Sequence, residues 1–133
     1  MNIEIQSPIP KPVQIKVNAP FRSSDPFMEP FEKGIMIDDN FTKTHRLMFS
    51  KFPQRPYHCL VATKEREPQT TPLSIEDFEA TLKTMKALDG FAYFNCGTIA
   101  GSSVPHKHCQ IIPLKSLSQG RLLIDDQVKS VFD

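Results

Sequence analysis

Proline placement limits the folding options of this chain more than any other feature. Six of its 12 prolines fall within the first 30 residues, at Pro8, Pro10, Pro12, Pro20, Pro26 and Pro30. Proline fixes φ and lacks a backbone N–H, so this stretch can hold neither a regular helix nor a central strand. Residues 1–23 are expected as an extended arm, with the alternations Ile3-Glu4-Ile5 and Val13-Gln14-Ile15-Lys16-Val17 as short edge strands at most. The folded body is expected over residues 24–115, followed by a tail over 116–133. At 133 residues the chain has room for one domain.

Within the body, short apolar runs are separated by turn residues. Residues 34–37 (GIMI) end at Asp38-Asp39-Asn40; residues 44–50 and 57–63 flank a turn between Pro53 and Pro56. These connections are too short for helical crossovers, so an antiparallel meander is expected. One helix is predicted over 75–89. Ser74 and Asp77 resemble a capping box, Gly90 stands at the stop, and Ile75, Phe78, Leu82, Met85 and Leu88 recur at helical spacing as a core stripe. Strands are predicted over 91–95 and 108–113, with a small-residue loop over 95–105 and a short helix over 125–132. The expected class is α+β: an antiparallel sheet of about five strands with one main helix.

Composition excludes several function classes. Net charge is +1, from 16 Lys and Arg against 15 Asp and Glu, which advertises neither a nucleic-acid strand nor an acidic tail. No apolar run reaches the roughly 20 residues of a membrane helix, and residues 1–20 lack the pattern of a secretory signal. Three cysteines, Cys59, Cys96 and Cys109, cannot all pair, which favours free thiols. A cytoplasmic protein is expected, without nucleic-acid or membrane partners.

The chemistry concentrates in His106-Lys107-His108-Cys109-Gln110-Ile111-Ile112. On a strand, His106, His108 and Gln110 share one face; Lys107, Cys109 and Ile111 take the other. Three readings stay open on these residues. The histidines can be structural, satisfied by hydrogen bonds. His106 and His108 can share a zinc ion with Cys109, Cys59 or His58, although Cys109 should face away. Or a histidine can act as a nucleophile on phosphorus. The preceding Asn95-Cys96-Gly97 and Gly101-Ser102-Ser103 supply N–H and hydroxyl donors for a phosphate nest. Residues 41–64 and 90–124 contain no Asp or Glu but eight Lys or Arg, which suits an anionic ligand.

Together with Phe94-Asn95-Cys96-Gly97 and Ala100-Gly101-Ser102-Ser103, the HKHCQ strand resembles the histidine-triad superfamily. More closely it is similar to ATP adenylyltransferases, the diadenosine tetraphosphate phosphorylases. Asp25-Pro26-Phe27, Thr44-His45, Ser50-Lys51-Phe52-Pro53, Val61-Ala62-Thr63-Lys64-Glu65, Gln69-Thr70-Thr71-Pro72-Leu73 and Asp77-Phe78 follow in the family's order. The likeness covers roughly residues 24–115. Many relatives are about twice this length or more, and where they often carry Asn before Pro-Phe this chain has Asp25.

The resemblance implies a histidine-triad-like fold and a nucleotidyltransferase. His108 would attack the α-phosphorus of diadenosine tetraphosphate, ATP would leave an adenylyl-histidine, and orthophosphate would then release ADP. It further implies that His106 and Gln110 complete the catalytic set. Asn95, Gly101, Ser102, Ser103 and Val104 would contact nucleotide or phosphates. Lys51 would lie near the polyphosphate, and Asp25, Pro26 and Phe27 would border the nucleoside. Gln110 cannot shuttle a proton at neutral pH, which fits a transferase whose acceptor is already anionic. No tightly bound cofactor and no protein-held metal is expected; Mg2+ could accompany the nucleotide, and a homodimer could complete the site. The alternatives are a nucleotide-binding module without turnover and a structural zinc protein.

Overall fold

The computed structural model describes residues 25–132; the arm expected over 1–23 lies outside them. The elements run β1 (Met36–Asp38), β2 (His45–Phe49), β3 (Cys59–Thr63), α1 (Ile75–Leu88), β4 (Gly90–Tyr93), β5 (His108–Pro113), a 3-10 turn (Leu114–Ser116) and α2 (Asp125–Phe132). The five strands form one antiparallel sheet in the order β1-β2-β3-β5-β4. The first three are the expected meander. The last two are not, because β5 inserts between β3 and β4. The reason lies in composition: Cys109, Ile111 and Ile112 are all buried in β5, and an interior position covers both edges of that strand. Among the described residues no helix is long and apolar enough to cross a membrane.

Register assigns the two faces. Leu60 pairs with Gln110 and Ala62 with His108 across β3–β5, Met48 with Leu60 across β2–β3, and Tyr93 with Gln110 across β4–β5. That face carries a core of Phe27, Met48, Leu60 and Ala62, against which Phe31, Ile35, Met36 and Val104 pack. The opposite face is covered by α1, where Val61, Ala80 and Ile111 form a second core with Leu47, Met85, Leu88 and Ala92 around it. Fully burying a side chain such as Met48 or Ile111 contributes about 1.5–3 kcal/mol.

The α1 capping box forms as expected: Asp77 N–H donates to Ser74 Oγ at 3.3 Å, and Ser74 N–H donates to Asp77 Oδ2 at 2.7 Å. The stop differs by one residue. Asp89 takes the left-handed conformation (φ 46°, ψ 62°), and Gly90 opens β4. A Cβ at Gly90 would lie 2.8 Å from the Ile112 carbonyl oxygen, so close strand approach is what requires glycine there. The helix is rotated from the expected stripe: Met85 and Leu88 pack on the core, but its N-terminal half does not follow them. Ile75, Phe78 and Leu82 are 74%, 54% and 57% exposed, while Asp77, Ala80, Thr81 and Thr84 are buried. Asp77 sets this rotation by reaching through to His45 and Lys107 beneath the helix, and the small residues Ala80, Thr81 and Thr84 let the helix sit close on the sheet.

Candidate active site

The strand entering the sheet from the 95–105 loop places His106 and His108 under Phe27. The Phe27 ring meets both imidazoles edge-on, at centroid distances of 5.6 Å and 5.0 Å. Phe27 is fixed from the chain on either side. Its N–H donates to Asp25 Oδ1 at 3.0 Å, and its carbonyl accepts from Arg46 Nη1 at 3.1 Å.

His106 is wholly buried, and both ring nitrogens are engaged. Nδ1 is 2.7 Å from Asp25 Oδ2, and Nε2 is 2.9 Å from both the Thr63 carbonyl and Thr63 Oγ1. The ring is therefore a fixed strut whose backbone carbonyl projects to the next histidine. His108 Nδ1 donates to that carbonyl at 2.8 Å, so its other nitrogen, Nε2, is the unprotonated one in the neutral ring. Nε2 takes no hydrogen bond from the described residues. Burial lowers the His108 pKa, and the hydrogen bond to His106 O only partly offsets it, while His106 and His58 add repulsion and Asp25 opposes them. The result is an imidazole that is neutral at pH 7 with one nitrogen available as a nucleophile.

Gln69 holds the backbone of His108 from the side. Its Oε1 accepts from His108 N at 2.8 Å; its Nε2 donates to His108 O at 3.1 Å and to Asn95 O at 2.9 Å. A buried amide thus stands in for a neighbouring strand where β4 has ended, and ties the 95–105 loop to His108. Gln110, two residues on, is half-buried and accepts from the Tyr93 hydroxyl at 2.9 Å.

The small-residue loop uses part of its donor set internally. Gly101 N donates to Thr98 O, Ser102 N to Gly97 O, and Ser102 Oγ to Val104 O. Gly97 and Gly101 have φ of +79° and +96°, conformations that favour glycine. Ser103 is exposed at the loop's edge and Val104 packs on the Phe27 core. Lys51 pairs with Glu32. Both line a cavity of about 420 Å³ with Ile35, Phe49, Tyr57 and His58.

One expectation changes in three dimensions. The acid-free segments are not acid-free in space: Asp25, Asp77 and Glu67 fold against them. Lys107 is buried between Asp77 and Glu67 on the helix face, and Arg46, on the Phe27 face, pairs with Asp39, so both cations already have carboxylate partners within the chain. Among the described residues no group of three His, Cys, Asp or Glu could hold a metal ion, and Cys109 turns away from His106 and His108, as expected, toward Thr81 on α1. Asp25 as a partner of His106, Gln69, Thr63, His58 and Tyr93 are the site residues that pattern reading did not assign. Thr63 and Gln69 did stand in quoted motifs, and His58 among candidate metal ligands.

A buried His-x-His-x-Gln strand on an antiparallel sheet, with a tautomer-locked middle imidazole beside a glycine-serine loop, defines an α+β domain that presents one unprotonated imidazole nitrogen at its candidate site. Comparison with known proteins gives the family: residues 11–129 match the Ap4A phosphorylase N-terminal domain, and the chain belongs to that family. It is 30% identical over 109 residues to diadenosine 5',5'''-P1,P4-tetraphosphate phosphorylase 2 of Saccharomyces cerevisiae, covering 73% of this chain and 34% of that protein. It is 34% identical over 102 residues to Protein APA1 of the same organism, covering 68% and 31%. Yeast Ap4A phosphorylase Apa2 superposes with a TM-score of 0.66 at 26% identity, covering 77% of this chain and 35% of that one. Its complex with AMP superposes at 0.59 with 33% identity, over 68% and 34%. The chain thus spans about a third of the length of the relatives it matches.

Proposed function

We propose that the chain carries the adenylyl-accepting half of a dinucleoside polyphosphate phosphorylase acting on diadenosine tetraphosphate. The observation that carries this is the 2.8 Å bond from His108 Nδ1 to the His106 carbonyl, which leaves Nε2 as the one unprotonated nitrogen on the substrate face. In the first step Nε2 attacks the α-phosphorus. An N–P bond forms, the P–O bond to the leaving group breaks, and ATP departs. In the second step an orthophosphate oxygen attacks the same phosphorus, the N–P bond breaks, and ADP leaves with His108 neutral again. Because orthophosphate arrives as an anion, no general base is needed at Gln110, whose amide donates to the phosphoryl oxygens. Solved structures of the yeast relative hold AMP and Ap4A, which supports this ligand class.

Asn95, Gly101, Ser102, Ser103 and Val104 are proposed to wall the phosphate side, and Asp25, Pro26 and Phe27 the nucleoside side. Lys51 is proposed to meet the distal phosphates from the cavity it shares with Glu32. These steps need no resident cofactor. The nearest carboxylate, Asp25, has both oxygens committed to Phe27 and His106, so any Mg2+ would travel with the nucleotide. Homodimerisation belongs to the same proposal. The test is incubation with α-labelled diadenosine tetraphosphate, without and then with orthophosphate. An acid-labile, base-stable adduct on His108, chased to ADP only by phosphate, is expected. AMP formed equally in both arms would mean a hydrolase, and binding without an adduct would mean a nucleotide-binding module.

A further inference from the structure

Beside the triad strand lies a polar cluster that the steps above leave unused. Tyr93 sits opposite Gln110 in the β4–β5 register and donates its hydroxyl to Gln110 Oε1 at 2.9 Å. His58, immediately before β3, is 2% exposed, and its ring centroid is 6.4 Å from that of Tyr93 with the planes tilted by 37°. The Gln54 backbone N–H donates to His58 Nδ1 at 3.2 Å. A ring nitrogen that accepts a hydrogen bond carries no proton, so the neutral ring holds its proton on Nε2. That Nε2 is buried and has no hydrogen-bond partner. An unpaired buried donor is costly and calls for an explanation. Burial lowers the His58 pKa, while the Gln110 side chain acts in the opposite sense; the ring is neutral, and Gln110 is the polar side chain beside it.

We infer that Tyr93 and His58 are positioning residues that converge on Gln110 Oε1 and hold its NH2 end toward the phosphoryl group at His108. This rests on the reading of the site as a phosphorylase. An amide is nearly symmetric in shape, so packing alone does not choose between its two orientations. Donors on one side do choose: the Tyr93 hydroxyl takes the oxygen, and the unpaired His58 N–H opposes a flipped NH2, so the NH2 is left outward. In that orientation Gln110 stabilises phosphoryl oxygens. Flipped, it would oppose them with its own oxygen and offer an incoming water a hydrogen-bond acceptor. The pair therefore favours orthophosphate over water as the second-step acceptor.

The test uses the full chain labelled with 15N at glutamine side chains, the Gln110 NH2 signals being identified by their loss in Gln110→Ala. In the wild type these signals are expected as a distinct pair, away from those of exposed glutamines. Tyr93→Phe and His58→Leu should each move them toward exposed positions, and His58→Gln, which keeps a donor near the Nε2 position, should restore them. Backbone spectra confirm that each variant is folded. In turnover, Tyr93→Phe should lower phosphorolysis and the ADP-to-AMP ratio about tenfold, the loss of roughly one hydrogen bond to a reacting charge. It should add nothing in the Gln110→Ala background. Gln110 signals unchanged in both Tyr93→Phe and His58→Leu would overturn the inference. So would an equal loss from Tyr93→Phe in the wild-type and Gln110→Ala backgrounds. If no His108 adduct forms at all, the phosphorylase reading fails by itself, while the amide signals still decide whether Tyr93 and His58 orient Gln110.

Discussion

Asp25 and His106, 81 positions apart in the chain, meet through a 2.7 Å contact between Oδ2 and Nδ1. The carboxylate is 12% exposed at its side chain and the imidazole not at all. The same Asp25 caps the Phe27 N–H with its other oxygen, so one side chain sets both the strut of the triad and the ring above it. Asp25→Ala is expected to lower stability by about 1–3 kcal/mol, the cost of leaving a buried donor unpaired. It should also slow adenylylation of His108 by about tenfold through loss of the His106 orientation. Asp25→Asn, which keeps an acceptor, should fall between. Urea denaturation and single-turnover labelling check the two effects separately.

The His108 adduct itself should show a specific pH profile. Burial pushes the His108 pKa below its usual 6.5, so the nucleophilic neutral form persists when the pH drops under that value. Adenylylation is expected to stay flat from pH 8 to below 6.5 and to fall only at more acid pH. The stability sign is the same. The unfolded chain binds a proton at His108 before the folded one does, so stability is lost as pH falls below about 6.5. His108→Ala should abolish the adduct. A pH–rate profile from single turnovers, with labelling of the alanine variant as control, checks this.

Beneath α1, Lys107 and Asp77 form a buried ion pair that also takes in Glu67 and His45. Burial alone would raise the Asp77 carboxyl; Lys107, the Ser74 N–H and His45 outweigh it and hold the pKa below 3.8. Its contribution is therefore present above pH 3.8 and lost as pH falls through the folded value. Asp77→Ala removes the capping box and leaves the buried ammonium only the partly exposed Glu67, and should cost about 3–5 kcal/mol. Thermal melts from pH 7 down to pH 3 should show the wild-type advantage over this variant shrinking toward the acid end.

Helix rotation can be tested on the surface. Phe78→Gln, on the exposed stripe of α1, should change stability by less than about 0.5 kcal/mol. Ala80→Leu, on the buried face at 0% exposure, should cost about 1–3 kcal/mol by overpacking the sheet. If the apolar stripe were the core, the order would reverse.

Gly90 gives the sharpest steric case. Any Cβ there meets the Ile112 carbonyl at 2.8 Å, a backbone atom that moves only with β5. Gly90→Ala should cost about 1–3 kcal/mol and, because β5 carries His108, should also reduce adduct formation. Denaturation midpoints and labelling yield check the two together.

Much of this was legible in the sequence because it is local. Period-2 alternation in HKHCQ put His106, His108 and Gln110 on one face, and the sheet keeps them there opposite Lys107, Cys109 and Ile111. Ser74 and Asp77, three residues apart, form the capping box they spell. The same locality explains the α1 error. Ile75, Phe78 and Leu82 have the spacing of a core stripe, but which face a helix buries is decided by what lies under it. Here Asp77 binding His45 and Lys107 outweighs three apolar contacts.

The sequence by itself therefore determined the elements, the triad and the family it belongs to, since each is written in neighbouring residues and their spacing. Only the tertiary structure decided the strand order, the partners of the histidines and the charge around them. Asp25, Gln69, Tyr93 and His58 reach the triad across separations that no periodicity encodes, through contacts that exist only once β5 lies between β3 and β4. The acid-free segments suggested a local site for an anionic ligand. Folding brings Asp25, Glu67 and Asp77 against those segments, because buried histidines and lysines need acceptors within hydrogen-bond distance, wherever in the chain these come from.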